Sequence, residues 1–89
     1  MNYKITYPTT LFEVNITNDN IDVLVSCDNG KNYSFVVATI KNVEQLLENG
    51  ILNPNTKILI VDELKEDKIE QVINLAMKNE KIASFYGED

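Results

Sequence analysis

Histidine, arginine and tryptophan are absent from these 89 residues, and cysteine occurs once, at position 27. Without histidine, neither a Ser/His/Asp nor a Cys/His nucleophilic arrangement can be assembled within one chain. A histidine-containing zinc site is excluded for the same reason. Without arginine there is no bidentate guanidinium clamp for phosphate or carboxylate. The single Cys27 can neither close an intramolecular disulfide nor build a four-thiolate metal cluster. Its place on the apolar face of an alternating segment marks it for buried packing.

Glycine is scarce as well. Gly30, Gly50 and Gly87 stand apart in the sequence, so they mark turns and element ends, and no Walker or dinucleotide-binding pattern is present. No cofactor is expected. The apolar tetrad Ile58 to Val61 is far too short to cross a bilayer, and residues 1–10 carry neither the basic nor the continuous apolar region of an export signal. A cytoplasmic protein with no membrane contact is expected, and a reducing compartment suits the lone thiol.

What the chain does contain is acid: 14 carboxylate side chains against 8 lysines, for a formal charge of -6. Such a surface repels nucleic-acid phosphates at long range and attracts basic proteins, so no direct nucleic-acid binding is expected. A 44% apolar composition distinguishes the chain from a disordered acidic tail. At 10.1 kDa it suffices for one modest core. The expectation is one domain over residues 1–89, with 1–9 an edge strand or arm and 87–89 a terminal tail.

Alternation identifies the strands. Phe12, Val14 and Ile16 alternate with polar residues over 11–17; Ile21, Val23, Val25 and Cys27 share one face, as do Tyr33, Phe35 and Val37. A two-residue turn at Asn18 and Asp19 would pair the first two runs. A three-residue loop Asp28, Asn29, Gly30 pairs Cys27 with Lys31, Val25 with Tyr33, Val23 with Phe35 and Ile21 with Val37, whereas a two-residue Asn-Gly turn would mismatch the faces. The opposite face is mixed, with Leu24 and Val36 as diagonal neighbours. Tyr3, Ile5 and Tyr7 suggest a further N-terminal strand ended by Pro8.

Helical periodicity begins after Thr39. Asn42 can cap a helix with Gln45 completing a capping box, and Thr39 is a competing cap; Val43, Leu46 and Leu47 then face inward, and Gly50 provides the exit. Residues 57–61 read as a strand more central than the meander, because both its faces are apolar. Ile69, Val72, Ile73, Ala76 and Met77 stripe a second helix, with Lys65 or Asp62 at its start and Leu64 placed to staple onto Ile69. Residues 82–86 suggest a last strand, completing a β-α-β unit. The fold class is therefore α/β (α+β): a three-stranded antiparallel meander, then helix, strand, helix and strand in a mixed sheet.

The densest acidic segment holds Asp62, Glu63, Glu66, Asp67 and Glu70, with Glu80 nearby in sequence. Like charges at i,i+4 are unfavourable on a helix, but the helix N-terminus compensates them. An ordinary solvated helix face accounts for this cluster; the functional reading makes it a docking surface. On that reading the chain is a small acidic protein-binding domain, an inhibitor or regulator that docks on the basic, nucleic-acid-binding surface of a partner protein. The alternative is an accessory or oligomerisation domain, a homo-oligomer joined through Tyr3, Tyr7, Leu24 and Val36. A carboxylate-dependent enzyme is a third reading, although no spacing selects a general acid and base, so no catalytic or metal-binding residue is assigned.

Overall fold

A computed structural model describes residues 2–8, 10, 11, 13–50 and 57–87. The elements are β1 (Tyr3–Thr6), β2 (Asn20–Cys27), β3 (Asn32–Thr39), α1 (Ile40–Glu48), β4 (Leu59–Val61), α2 (Glu66–Met77) and α3 (Glu80–Tyr86). The strands form one mixed sheet in the order β1-β2-β3-β4, antiparallel across the first three and parallel between β3 and β4. The α/β meander architecture expected from the sequence is present.

The β2–β3 hairpin has the register that its apolar alternation demands. Val25 faces Tyr33, Val23 faces Phe35 and Ile21 faces Val37. Gly30 has a φ of 90°, the left-handed conformation at the end of the three-residue loop, and its N–H donates to the Cys27 carbonyl at 3.1 Å. Beyond it, Cys27 N–H donates to the Lys31 carbonyl at 2.9 Å. Slipping this hairpin by one residue would turn its whole apolar face to water.

The first strand of the meander is the N-terminal one. β1 pairs with β2, Tyr3 opposite Cys27 and Ile5 opposite Val25. The alternating run over 11–17 is not a strand among its described residues; Phe12 lies outside them. Local bonding competes with strand pairing there. Asn15 Oδ1 accepts from Thr17 N–H at 3.3 Å, Asp19 Oδ2 accepts from Asn15 N–H at 3.1 Å, and Asn18 N–H donates to the Asn15 carbonyl at 3.2 Å. Leu11 and Val14 still pack partly against the core.

Thr39, not Asn42, caps α1. Its buried Oγ1 accepts from Asn42 N–H and from Asp19 N–H, each at 3.2 Å. Gln45 is freed from the expected capping box and accepts from Asn18 Nδ2 at 3.0 Å. The inward face expected of Val43, Leu46 and Leu47 is also corrected: α1 buries no residue fully, and Leu47 is exposed. Polar side-chain contacts from Asn18 and Asn20 meet the helix instead.

α2 begins after Lys65, which makes no side-chain cap, while Glu66 and Asp67 in the first turn complement the helix dipole. Leu64 and Ile69 are both buried in the core, as a staple across this start requires. Ile69, Ile73 and Ala76 then lie among Val23, Val25, Phe35 and Val37 of the sheet. Each of the two fully buried isoleucines contributes about 1.5–3 kcal/mol.

Two further expectations are overturned. Residues 82–86 belong to α3, because Asn79 Oδ1 caps it by accepting from Lys81 N–H at 2.9 Å, and Ile82, Phe85 and Tyr86 have helical spacing. The parallel pairing joins β3 and β4 instead, with α1 between them in sequence. β4 is also a sheet edge, not the centre, and Ile60 is 51% exposed on it. Two apolar faces in a short run do not reveal whether both are covered.

Candidate protein-interaction surface

The acidic residues singled out in the sequence divide into two groups. Lys68 Nζ donates to both Asp62 oxygens, at 2.9 and 2.8 Å, and to Glu63 Oε1 at 3.1 Å. Those hydrogen bonds hold the Asp62 carboxyl below its usual pKa and the Lys68 ammonium above its own. Lys65 adds a longer ion pair to Glu63 at 3.7 Å. Glu80 on α3 pairs with Lys31 of the hairpin at 2.5 Å, lowering the carboxyl and raising the ammonium. Glu66, Asp67 and Glu70 make no ion pair among the described residues. The segment is thus interleaved with lysine over half its length, and its uncompensated charge is confined to the first half of α2.

The four apolar candidates lie on opposite sides of the sheet. Tyr3 and Tyr7 are half-buried against the core, beneath the flank of α2 that carries Glu66, Glu70 and Asn74. Tyr3 donates its hydroxyl hydrogen bond to Asn74 Oδ1. The Tyr7 hydroxyl is buried with no hydrogen-bond partner among the described residues, and burial together with the Glu70 and Glu66 charges pushes its pKa up to about 12. Leu24 and Val36 lie on the face turned away from α2, diagonally related because Asp22 faces Val36 and Leu24 faces Ser34.

Composition alone did not reveal the surface along β4. Two adjoining depressions of about 390 and 340 Å³ follow its outer edge and share Ile60, Val72 and Leu75. One continues over Asp62, Lys68 and Gln71, the other over Ile58, Ala76, Ile82 and Tyr86. Leu75 is 55% exposed, Phe85 53% and Ile82 43%, which gathers several large apolar side chains of the molecule beside one edge. Lys57 Nζ sits 4.5 Å from the Phe85 ring centroid at the same end. The available sequence signal was the width of the α2 stripe: Leu75 widens it on the flank that meets β4.

The two sheet edges differ in chemistry. β1 carries Lys4 and is followed by Pro8, both of which discourage addition of another strand. β4 reads Leu-Ile-Val without a charge, and among the described residues no strand pairs with its outer side. Its outward N–H and C=O groups are therefore suited to another extended backbone.

Among the described residues, no group of three or more Cys, Asp and Glu side chains is placed to hold a metal ion, and no helix is long and apolar enough to cross a membrane. Comparison with protein families, curated proteins and solved structures found no match to this chain.

Proposed function

We propose that this chain is a protein-interaction module that binds by adding an extended protein segment to the outer edge of β4. Main-chain hydrogen bonds would supply the pairing, and the cleft between β4 and the α2–α3 layer would receive alternate side chains. The observation that carries this reading is the coincidence of an uncharged strand edge, unpaired among the described residues, with exposed Ile60, Leu75 and Ile82. The test is selection from a library of displayed random peptides, followed by amide exchange on the complexes. Extended apolar peptides should be enriched, should slow exchange at Leu59–Val61, and should lose binding to an Ile60→Lys, Leu75→Lys variant. Protection confined to other elements would overturn the reading.

A second reading, docking on a basic partner, is supported by the uncompensated Glu66, Asp67 and Glu70. It predicts binding that weakens as salt rises, and loss of binding when these three are changed to glutamine. A carboxylate-dependent enzyme has less support. The carboxylate bordering the cleft, Asp62, is tied to Lys68 and held ionised, far from the protonation balance of a general acid near neutral pH.

A further inference from the structure

We infer that Asn49, at the C-terminal end of α1, is a site of spontaneous modification, deamidating through a cyclic succinimide while the matching pair at Asn29 stays intact. The inference is independent of the strand-addition reading. Asparagine followed by glycine occurs twice in the chain, as Asn29-Gly30 and Asn49-Gly50, and both pairs are exposed. Glycine lacks the Cβ that otherwise crowds the attacking nitrogen, so local chemistry alone makes the two pairs equal. Their structural settings do not.

In the reaction the Gly50 backbone nitrogen attacks Cγ of Asn49. The N–Cγ bond forms, the Cγ–Nδ2 bond breaks, and the Gly50 amide proton leaves with Nδ2 as ammonia. Water then opens the ring at either carbonyl, giving aspartate or isoaspartate. Asn49 has a ψ of -1°, which eclipses the Gly50 nitrogen with the Asn49 nitrogen and holds it away from Cβ. Ring closure therefore requires rotation about Cα–C. That rotation breaks the 3.1 Å hydrogen bond from Gly50 N–H to the Leu47 carbonyl, so opening of the last helical turn is the gate.

This end of α1 is poorly held. The helix buries no residue fully, and Leu47, Glu48 and Asn49 are all exposed. Its last turn contains Glu48 and no basic residue, which sets a carboxylate at the negative end of the helix dipole. Such an end opens at little cost in free energy. Asn29 is tied far more firmly. Its Oδ1 accepts from Lys31 N–H at 3.0 Å, Gly30 N–H donates to the Cys27 carbonyl at 3.1 Å, Cys27 N–H to the Lys31 carbonyl at 2.9 Å, and Asp28 N–H to the Asn2 carbonyl at 3.1 Å. Freeing Gly30 would unzip the end of the β2–β3 hairpin, whose inner face forms the core. At Asn49 the product adds a further carboxylate to the same helix end, and isoaspartate also lengthens the main chain. Both oppose closure of the turn again.

The test is incubation of the whole folded chain in mildly alkaline buffer, followed by digestion and tandem mass spectrometry, with a parallel sample in concentrated urea. In the folded chain Asn49 should convert more than about tenfold faster than Asn29. In urea the two should react at similar rates. Glu48→Lys, which puts a cation in the last turn, should slow Asn49 severalfold in the folded chain and leave its rate in urea near that of the wild type. Amide exchange gives an independent readout: Gly50 N–H should exchange faster than Gly30 N–H. Equal rates at the two asparagines in the folded chain would overturn the inference, as would faster conversion at Asn29. So would a folded Asn49 that is inert while it converts in urea, or a folded Glu48→Lys chain that reacts like the wild type.

Discussion

At Gly87, a Cβ would lie 2.7 Å from Cζ and 2.8 Å from Cε1 of Phe35, whose ring is fully buried. No real Cβ sits so close to an aromatic carbon, and a packed ring cannot retreat without moving its neighbours. Gly87→Ala is therefore expected to destabilise the fold by about 1–3 kcal/mol, read from the urea midpoint. Tyr7 makes the opposite case. Tyr7→Phe removes a buried hydroxyl that has no partner among the described residues, so at neutral pH it should be neutral or stabilising by up to about 1 kcal/mol. At alkaline pH the difference grows. The unfolded chain releases the tyrosine proton near pH 10, whereas the folded chain holds it to about 12. Between those values the unfolded state binds fewer protons, so this tyrosine makes stability fall as pH rises. The stability difference in favour of Tyr7→Phe should widen from pH 8 to pH 11, the lysine background being common to both proteins. A gap that stays constant would show that Tyr7 is not the group held protonated.

Thr39 is the element-scale hinge of the structure, because one hydroxyl serves the end of β3, the start of α1 and the loop at Asp19. Thr39→Ala removes the cap and leaves Asp19 N–H without that acceptor. A loss of about 1–2 kcal/mol is expected by thermal or urea denaturation. Thr39→Ser should retain most of it. Elements whose partners are adjacent in sequence were legible from pattern alone. The β2–β3 register followed from matching Val23 to Phe35 across a loop whose length the apolar faces dictate. α2 followed from the spacing of Ile69, Ile73 and Ala76. Where two local solutions compete, the pattern was ambiguous. Residues 11–17 alternate like a strand, but Asn15 and Asp19 bond to nearby backbone and β1 already occupies the edge of β2. Residues 82–86 could be read at either period until Asn79 and the contact of Ala83 and Gly87 with the core selected a helix.

For the whole molecule, the two candidate surfaces differ in their response to salt. The chain carries a formal charge of -6, and salt screens the field that this charge sets up. Addition of an uncharged apolar peptide to the β4 edge is therefore expected to change little from about 0.01 M to 0.15 M salt, a range over which the screening length falls from about 30 to 8 Å. Docking through Glu66, Asp67 and Glu70 on a basic partner should weaken over the same range. Titration calorimetry with a selected peptide for the first and with any captured basic partner for the second would separate the two surfaces by their salt dependence. The Asp62, Glu63 and Glu80 ion pairs, formed within the chain, contribute little to either trend.

The candidate site was only half legible in the sequence. The acidic run could be located, but which of its carboxylates meet lysine required the fold: Lys31 reaches Glu80 across 49 positions, and Lys68 turns back to Asp62. Composition and alternation by themselves determined the excluded chemistries, the α/β class, the hairpin register and the buried stripe of α2. These depend on side-chain type and on neighbours within a few turns of chain. Tertiary structure decided that β1 opens the meander, that β4 is an edge, and that Leu75 and Ile82 come to lie beside it. Among the described residues that edge is defined by the lack of a further strand, and a strand carries the same residues whether its outer backbone groups are paired or open to water.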